Sequence, residues 1–244
     1  MTIKKNNYFY ILITSLVFTF ISFPFKNNNV NSNDITLNSL ITEDIVCEDI
    51  VCELTWDTAD NIGSITYKSG NGILIIPEKV TLIDHSVINI KNIPSSAFQG
   101  ANITWAYLPT SLLTINTKAF ENCVNLTNVN FYSASVNTIN SISDEVFSGC
   151  TNLVDVDFSN LTNVTIINKK LFKNCVNLTN VSFPNSLNTI DDYSFEGCEK
   201  IDNINLSNTV LVRIGESAFE GCEALVTMYL PTNTFEEFKK NSFK

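Results

Sequence analysis

Residues 108–131 read LPTSLLTINTKAFENCVNLTNVNF, and residues 183–206 read FPNSLNTIDDYSFEGCEKIDNINL. Laid in register, Pro109 falls on Pro184, Leu112 on Leu187, Ile115 on Ile190, Phe120 on Phe195 and Cys123 on Cys198. Leu126 then falls on Ile201, Val129 on Ile204 and Phe131 on Leu206. The same order recurs on either side of these two stretches. Its anchor is a phenylalanine, at Phe98, Phe120, Phe147, Phe172, Phe195, Phe219 and Phe243, with spacings of 22, 27, 25, 23, 24 and 24 residues. Cysteine follows three residues later at Cys123, Cys150, Cys175, Cys198 and Cys222, and Ala101 holds that place in the first unit. An L-x-x-V-x-[LF] word comes next, with conservative swaps. An isoleucine stands five residues before the following anchor, at Ile93, Ile115, Ile142, Ile167, Ile190 and Ile214.

V-x-F is a two-residue period, so each unit carries one short strand with its apolar residues on one side. Proline ends the strand at Pro77, Pro109, Pro184 and Pro231, because it has no N–H for a ladder. A unit of this length with a single strand cannot bury its apolar side alone. Stacked neighbours can, and each position then forms a column down the array. The expected fold is a solenoid of about seven units over residues 61–244, the last one incomplete. Short parallel strands line its concave face.

The pattern resembles the BspA-like leucine-rich repeat proteins of the treponemal type, whose word is close to LPxxLxxIGxxAFxxCxxLxxIx. Leu108–Ile115 through Ala119-Phe120 to Cys123, Leu126 and Val129 follows it almost letter for letter. So does Phe183–Leu187 through Ile190, Phe195, Cys198 and Ile201, with Ser194 before the anchor. Arg213-Ile214-Gly215 to Ala218-Phe219 and Cys222 carries the IGxxAFxxC half. The resemblance covers residues 72–244. It implies a leucine-rich repeat solenoid with irregular or short helical convex segments. It also implies a surface or secreted protein that holds another macromolecule, often in host adhesion. Some units depart from the word. Those after Ser133 and Asn160 lack Leu-Pro and run longer, and the first carries about ten extra residues near His85. After Pro231, Phe235 and Phe238 replace leucine and isoleucine, and only Lys244 follows the anchor Phe243. That reads as a truncated copy or as a half-repeat acting as a lid.

Composition narrows the function. A net charge of −10 argues against nucleic-acid binding, which needs a basic face. His85 is the single histidine, so a site with several His ligands is excluded. Phosphate-binding, zinc-protease and nucleophile-elbow motifs are absent from the sequence. The expectation is a protein that is not an enzyme and takes no cofactor. A catalytic alternative would have to use His85 or the Asp155–Asp157 pair.

Lys4 and Lys5 precede an uncharged run, Tyr8–Phe25, which reads as an export signal. Residues 1–25 are therefore a cleaved signal peptide or an uncleaved anchor helix. The chain is expected to be secreted or at the cell surface, with no other membrane contact. Residues 26–60 read as an Asn-rich, acidic spacer with EDIVC in tandem at 43–52. Carboxylates in this number suggest a calcium loop, but no DxDxDG pattern is present, so a solvated linker is expected. Cys47 and Cys52 form a small disulfide loop or stay as two free thiols; both readings stand. The repeat cysteines have no CxxC spacing and no histidine beside them. They read as small buried hydrophobes.

Alternation leaves the polar strand residues facing outward. They are Trp105, Tyr107, Asn128, Asn130, Tyr132, Asp155, Asp157, Asn180, Asn203, Asn205 and Tyr229, flanked by Ser159, Ser182, Ser207 and Thr227. Aromatics beside short polar side chains make a recognition surface. The function expected from them is adhesin-like, the ligand being a protein or glycan macromolecule on another cell or matrix. The competing reading is a structural or antigenic surface protein without a defined ligand.

Overall fold

The computed structural model describes residues 8–10, 22–24, 41–57, 59–82, 85–132, 138–232 and 236–243. Near the amino terminus Tyr8–Tyr10 (β1) pairs antiparallel with Ser22–Pro24 (β2). The expected signal or anchor helix otherwise falls outside the described residues, and these two triplets are extended. No helix among the described residues is long and apolar enough to cross a membrane.

Ile41–Asp57 (β3) was expected to be acidic spacer. It is instead a strand paired antiparallel with Ile62–Ile75 (β4). Ile45, Cys47, Ile50, Cys52, Leu54 and Trp56 are buried, and the residues between them face out. The tandem EDIVC explains how. A five-residue repeat would flip its second copy to the other face of a regular strand. Glu48 adopts φ 66°, and the register shifts between Glu48 and Ile50, so one extra residue restores the side. The Asp49 carboxylate stands in for a ladder partner there and accepts the Ile73 amide at 2.9 Å. Glu48, Asp49, Glu53 and Asp57 thus occupy the outer positions of a strand that closes the first turn of the stack. Carboxylates on an outer edge also oppose pairing with another sheet.

Tyr67 takes the anchor place in this capping turn. Its amide donates to the Ala97 carbonyl at 2.7 Å, as the Phe98 amide donates to the Ala119 carbonyl at 2.7 Å. The extra residues of the first unit form an antiparallel pair, Lys79–Thr81 (β5) with Val87–Ile93 (β6). His85 sits exposed in the bend between them.

From there two kinds of strand alternate. Those of the V-x-[LF] word are Ile103–Pro109 (β7), Asn128–Tyr132 (β9), Asp155–Asp157 (β11), Asn180–Ser182 (β13), Asn203–Asn205 (β15) and Thr227–Tyr229 (β17). Those of the isoleucine column are Thr114–Ile115 (β8), Ser141–Ile142 (β10), Ile166–Ile167 (β12), Thr189–Ile190 (β14), Arg213–Ile214 (β16) and Glu237–Phe238 (β18). The concave sheet runs β4-β7-β9-β11-β13 and resumes as β15-β17; along both runs β7 to β17 pair in parallel. The isoleucine side pauses one turn earlier, between β10 and β12. Hydrogen bonds of the anchor corner continue past both pauses, from the Phe147 amide to the Leu171 carbonyl and from the Phe172 amide to the Ser194 carbonyl. Among the described residues the convex segments are turns and hold no helix.

Two columns run through the core beside the buried isoleucines and leucines. Anchor rings stack from Phe98 to Phe243 with centroids 5.1–5.8 Å apart. Such near-parallel pairs contribute about 0.5–1.5 kcal/mol each beyond their buried area. Beside them lie the cysteines. Each thiol donates to the anchor carbonyl of the turn before, from Cys123 to Phe98 at 3.0 Å through Cys222 to Phe195 at 3.1 Å. Each of those carbonyls already accepts the amide three residues ahead in its own turn. The thiol therefore satisfies a second lone pair, which an aliphatic side chain would leave bare.

Candidate functional site

The concave strands place the outward side chains in two rows. Trp105, Asn128, Asp155 and Asn180 are aligned in one, and Tyr107 and Asn130 are in register in the other. Asp157 pairs with Ser182 further along the second row, and past the pause Asn203 pairs with Thr227 and Asn205 with Tyr229. Buried Ala106, Val129, Val156 and Ile204 separate the rows and hold the strands to the core.

The structure sorts the expected face by exposure and bonding. Trp105 is 42% exposed and Tyr229 55%. Asn130, Asp157, Asn180, Asn203 and Asn205 are exposed, whereas Tyr107, Asn128 and Asp155 are half-buried. Trp105 and Tyr107 lie ring beside ring, centroids 6.2 Å apart and planes 20° apart. Some polar groups are spent locally. Asp157 Oδ1 accepts the Ser159 amide at 2.8 Å, Asn205 Oδ1 accepts the Ser207 hydroxyl at 2.7 Å, and Asn203 Nδ2 donates to Asp202 Oδ1 at 2.6 Å. The side chains of Asn128, Asn130 and Asp155 make no hydrogen bond among the described residues and face solvent.

Tyr132 differs from the others. Its hydroxyl donates to the Ile76 carbonyl at 2.6 Å, reaching back two strands across Pro109. Burial, then the nearby Glu78 carboxylate, pushes its phenol well above the ordinary range. Tyr132 therefore straps the turns together and bounds the face. Sequence reasoning missed two contributors, Ile73 and Ile75, which share the rows of Trp105 and Tyr107. The signal was the apolar run 73–76 before Pro77, which matches the strand word with no polar residue in it.

The other reactive groups lie elsewhere. Cys47, Cys52, Cys123, Cys150, Cys175 and Cys198 are free and buried, and Cys222 is free and half-buried. Burial raises the Cys150, Cys175 and Cys198 thiols and pushes Cys222 up to about 12. Burial and then the adjacent Cys52 thiol raise Cys47. Such thiols are protonated and inert as nucleophiles. His85 is in the β5–β6 bend, off the concave strands. Among the described residues no three His, Cys, Asp or Glu side chains converge to hold a metal ion.

A family model described as the BspA type leucine rich repeat region matches residues 91–164 and 132–244 in six copies. The chain belongs to the BspA-type leucine-rich repeat family. Solved structures share its fold. A leucine-rich repeat protein of T. pallidum is 22% identical with a TM-score of 0.65, over 80% of this chain and 86% of that one. A leucine-rich cell surface protein of Faecalibacterium prausnitzii A2-165 is 23% identical with a TM-score of 0.52, over 76% of this chain and 54% of that one. The pneumococcal vaccine antigen PcpA is 16% identical with a TM-score of 0.57, over 85% of this chain and 52% of that one. This BspA-type chain thus spans about half of the latter two. Comparison with curated proteins finds no match.

Proposed function

We propose that this BspA-type protein is exported to the cell surface. There its concave sheet binds a macromolecule of a host or neighbouring cell without catalysing a reaction. One observation carries the reading: Trp105, Asn128 and Asp155 stand in register on the concave sheet with Asn130 in the row beside them, all on its outward side, and their polar groups are without hydrogen-bond partners among the described residues. Polar groups that take no hydrogen bond within their own fold are free to be complementary to a ligand. Two relatives support surface display: one is described as a cell surface protein and one as a vaccine antigen. Buried, protonated thiols and a histidine remote from the face support a non-catalytic role.

The test is binding of labelled full-length chain to epithelial and bacterial cells. A Trp105→Ala/Tyr107→Ala variant serves as comparison, and circular dichroism confirms its fold. Saturable binding weakened at least about tenfold in the variant is expected. Equal binding by the two proteins would move the site off this face. No saturable binding by either would favour a structural surface protein. Protease shaving of the source cells tests export, with release of peptides from 60–244 before lysis as the expected result.

A further inference from the structure

Resting on that reading, we propose that the first rungs of the concave sheet are a glycan site for a neutral, flat, equatorially linked pyranose chain. The chemistry of the strip is that of a sugar ring. A pyranose has an apolar C–H face and an edge of hydroxyls that both donate and accept. Trp105 offers an exposed indole with Tyr107 beside it, and Ile73 and Ile75 extend the apolar surface on the next strand. One and two rungs further along come Asn128 and Asn130, then Asp155, whose side chains make no hydrogen bond among the described residues. Amides serve hydroxyls as donor and acceptor, and carboxylates as acceptors. Aromatic walls with a few convergent polar groups are the usual composition of a small-molecule subsite.

The spacing suits an extended glycan. The outward groups recur once per strand, at the rung spacing of about 4.8 Å, and pass from aromatic to amide to carboxylate. Successive rings of one sugar chain can each meet a rung, stacking on the first and hydrogen-bonding to those that follow. Charge selects among glycans. No lysine or arginine lies on β7, β9, β11 or β13, and the chain carries −10, so polyanionic chains are repelled.

The probe is cellohexaose, with β-1,4-linked hexaglucuronic acid as its charged counterpart, titrated into the full-length protein. Trp56 is 4% exposed inside the cap, so a change in indole fluorescence reports Trp105. Expected are saturable quenching by cellohexaose, an affinity insensitive to salt, and weaker or no binding of the hexaglucuronate. By calorimetry Trp105→Ala should lose at least about tenfold in affinity. Trp105→Phe should lose less, and Tyr193→Ala, at the anchor corner, should lose nothing. No saturable signal with cellohexaose overturns the proposal. So does unchanged affinity in Trp105→Ala, or hexaglucuronate bound as tightly. If cellohexaose fails while Trp105→Ala/Tyr107→Ala still loses cell binding, the concave face stands and the glycan falls. If that variant binds cells like the wild type, the face itself is wrong.

Discussion

Asn122 and Gly149 occupy the same place in successive turns, two residues after the anchor, and both are left-handed, at φ 59° and 73°. Across the array this place is held by Gly100, Asn122, Gly149, Asn174, Gly197 and Gly221, the two residue types that reach αL most cheaply. A Cβ on Gly149 would lie 2.2 Å from the Asn122 side-chain oxygen, so a larger residue there has to displace that side chain. Nothing lies within 4 Å of a Cβ built on Gly100. Gly149→Ala should therefore cost about 2–4 kcal/mol, strain plus collision, and Gly100→Ala about 1 kcal/mol, read as shifts in urea midpoint. Equal costs would mean that the Asn–Gly contact does not matter. Tyr132→Phe should cost about 1 kcal/mol, one buried hydrogen bond, with cell binding unchanged. The Gly/Asn place leaves a mark in the sequence, a Gly or Asn directly before each of the five repeat cysteines and before Ala101. The other left-handed place does not. Two residues before the anchor, Lys118, Glu145, Lys170 and Tyr193 have positive φ although nothing in their type requires it. Their amides bond to the next turn's carbonyls, Lys118 to Asp144 and Glu145 to Lys169 at 3.0 Å, which holds the strained conformation. A bond to the neighbouring turn leaves no local mark in sequence.

The cysteine column was legible as buried thiols, but its hydrogen bonds were not, because they run between units. Its expected signature is alkaline instability. Burial raises the thiols of Cys47, Cys150, Cys175, Cys198 and Cys222 above their unfolded value near 9. The folded state then keeps protons that the unfolded chain releases. Stability is full below about pH 9 and falls as pH rises towards the folded values, which for Cys222 means about 12. Each such thiol contributes a slope of up to about 1.4 kcal/mol per pH unit in that window. The urea midpoint should be flat from about pH 6 to 8 and then drop steeply. Cys175→Ala should lower stability at neutral pH by about 1–3 kcal/mol, read from the midpoint, and make the alkaline drop shallower. An identical slope in the variant would show that Cys175 titrates alike in both states. The anchor column has no such dependence. Phe172→Ala, which removes contacts to Phe147, Phe195 and Phe158, should cost about 3–5 kcal/mol at any pH.

A stack of this kind is held turn to turn, so its ends decide where opening begins. The amino-terminal end is closed by β3, which buries Ile50, Leu54 and Trp56 against the first turn. Sequence reading lost this cap because eight acids in a row of twenty-seven residues hid an alternation broken once at Glu48. The last turns are more open. Val226 is 86% exposed, Phe243 49% and Phe238 46%, although Phe243 continues the column on Phe219 at 5.6 Å and Phe238 packs on it edge-on. The surplus phenylalanines of that half-repeat were legible in the sequence, but not how much of their surface the stack would leave exposed. Hydrogen exchange should therefore be graded along the molecule. Amides of β4, β7 and β9 should be slowest, those of β13 faster, and those of β17 and β18 fastest. A charge in the cap should invert the order at one end only. Ile50→Asp places a carboxylate among buried neighbours and should accelerate exchange in β4 and β7. The amides of β15 and β17, coupled to β4 only through every turn between, should keep their rates. A uniform acceleration from β4 to β17 would mean that the array opens as a single unit, and the turn-by-turn account would have to be abandoned.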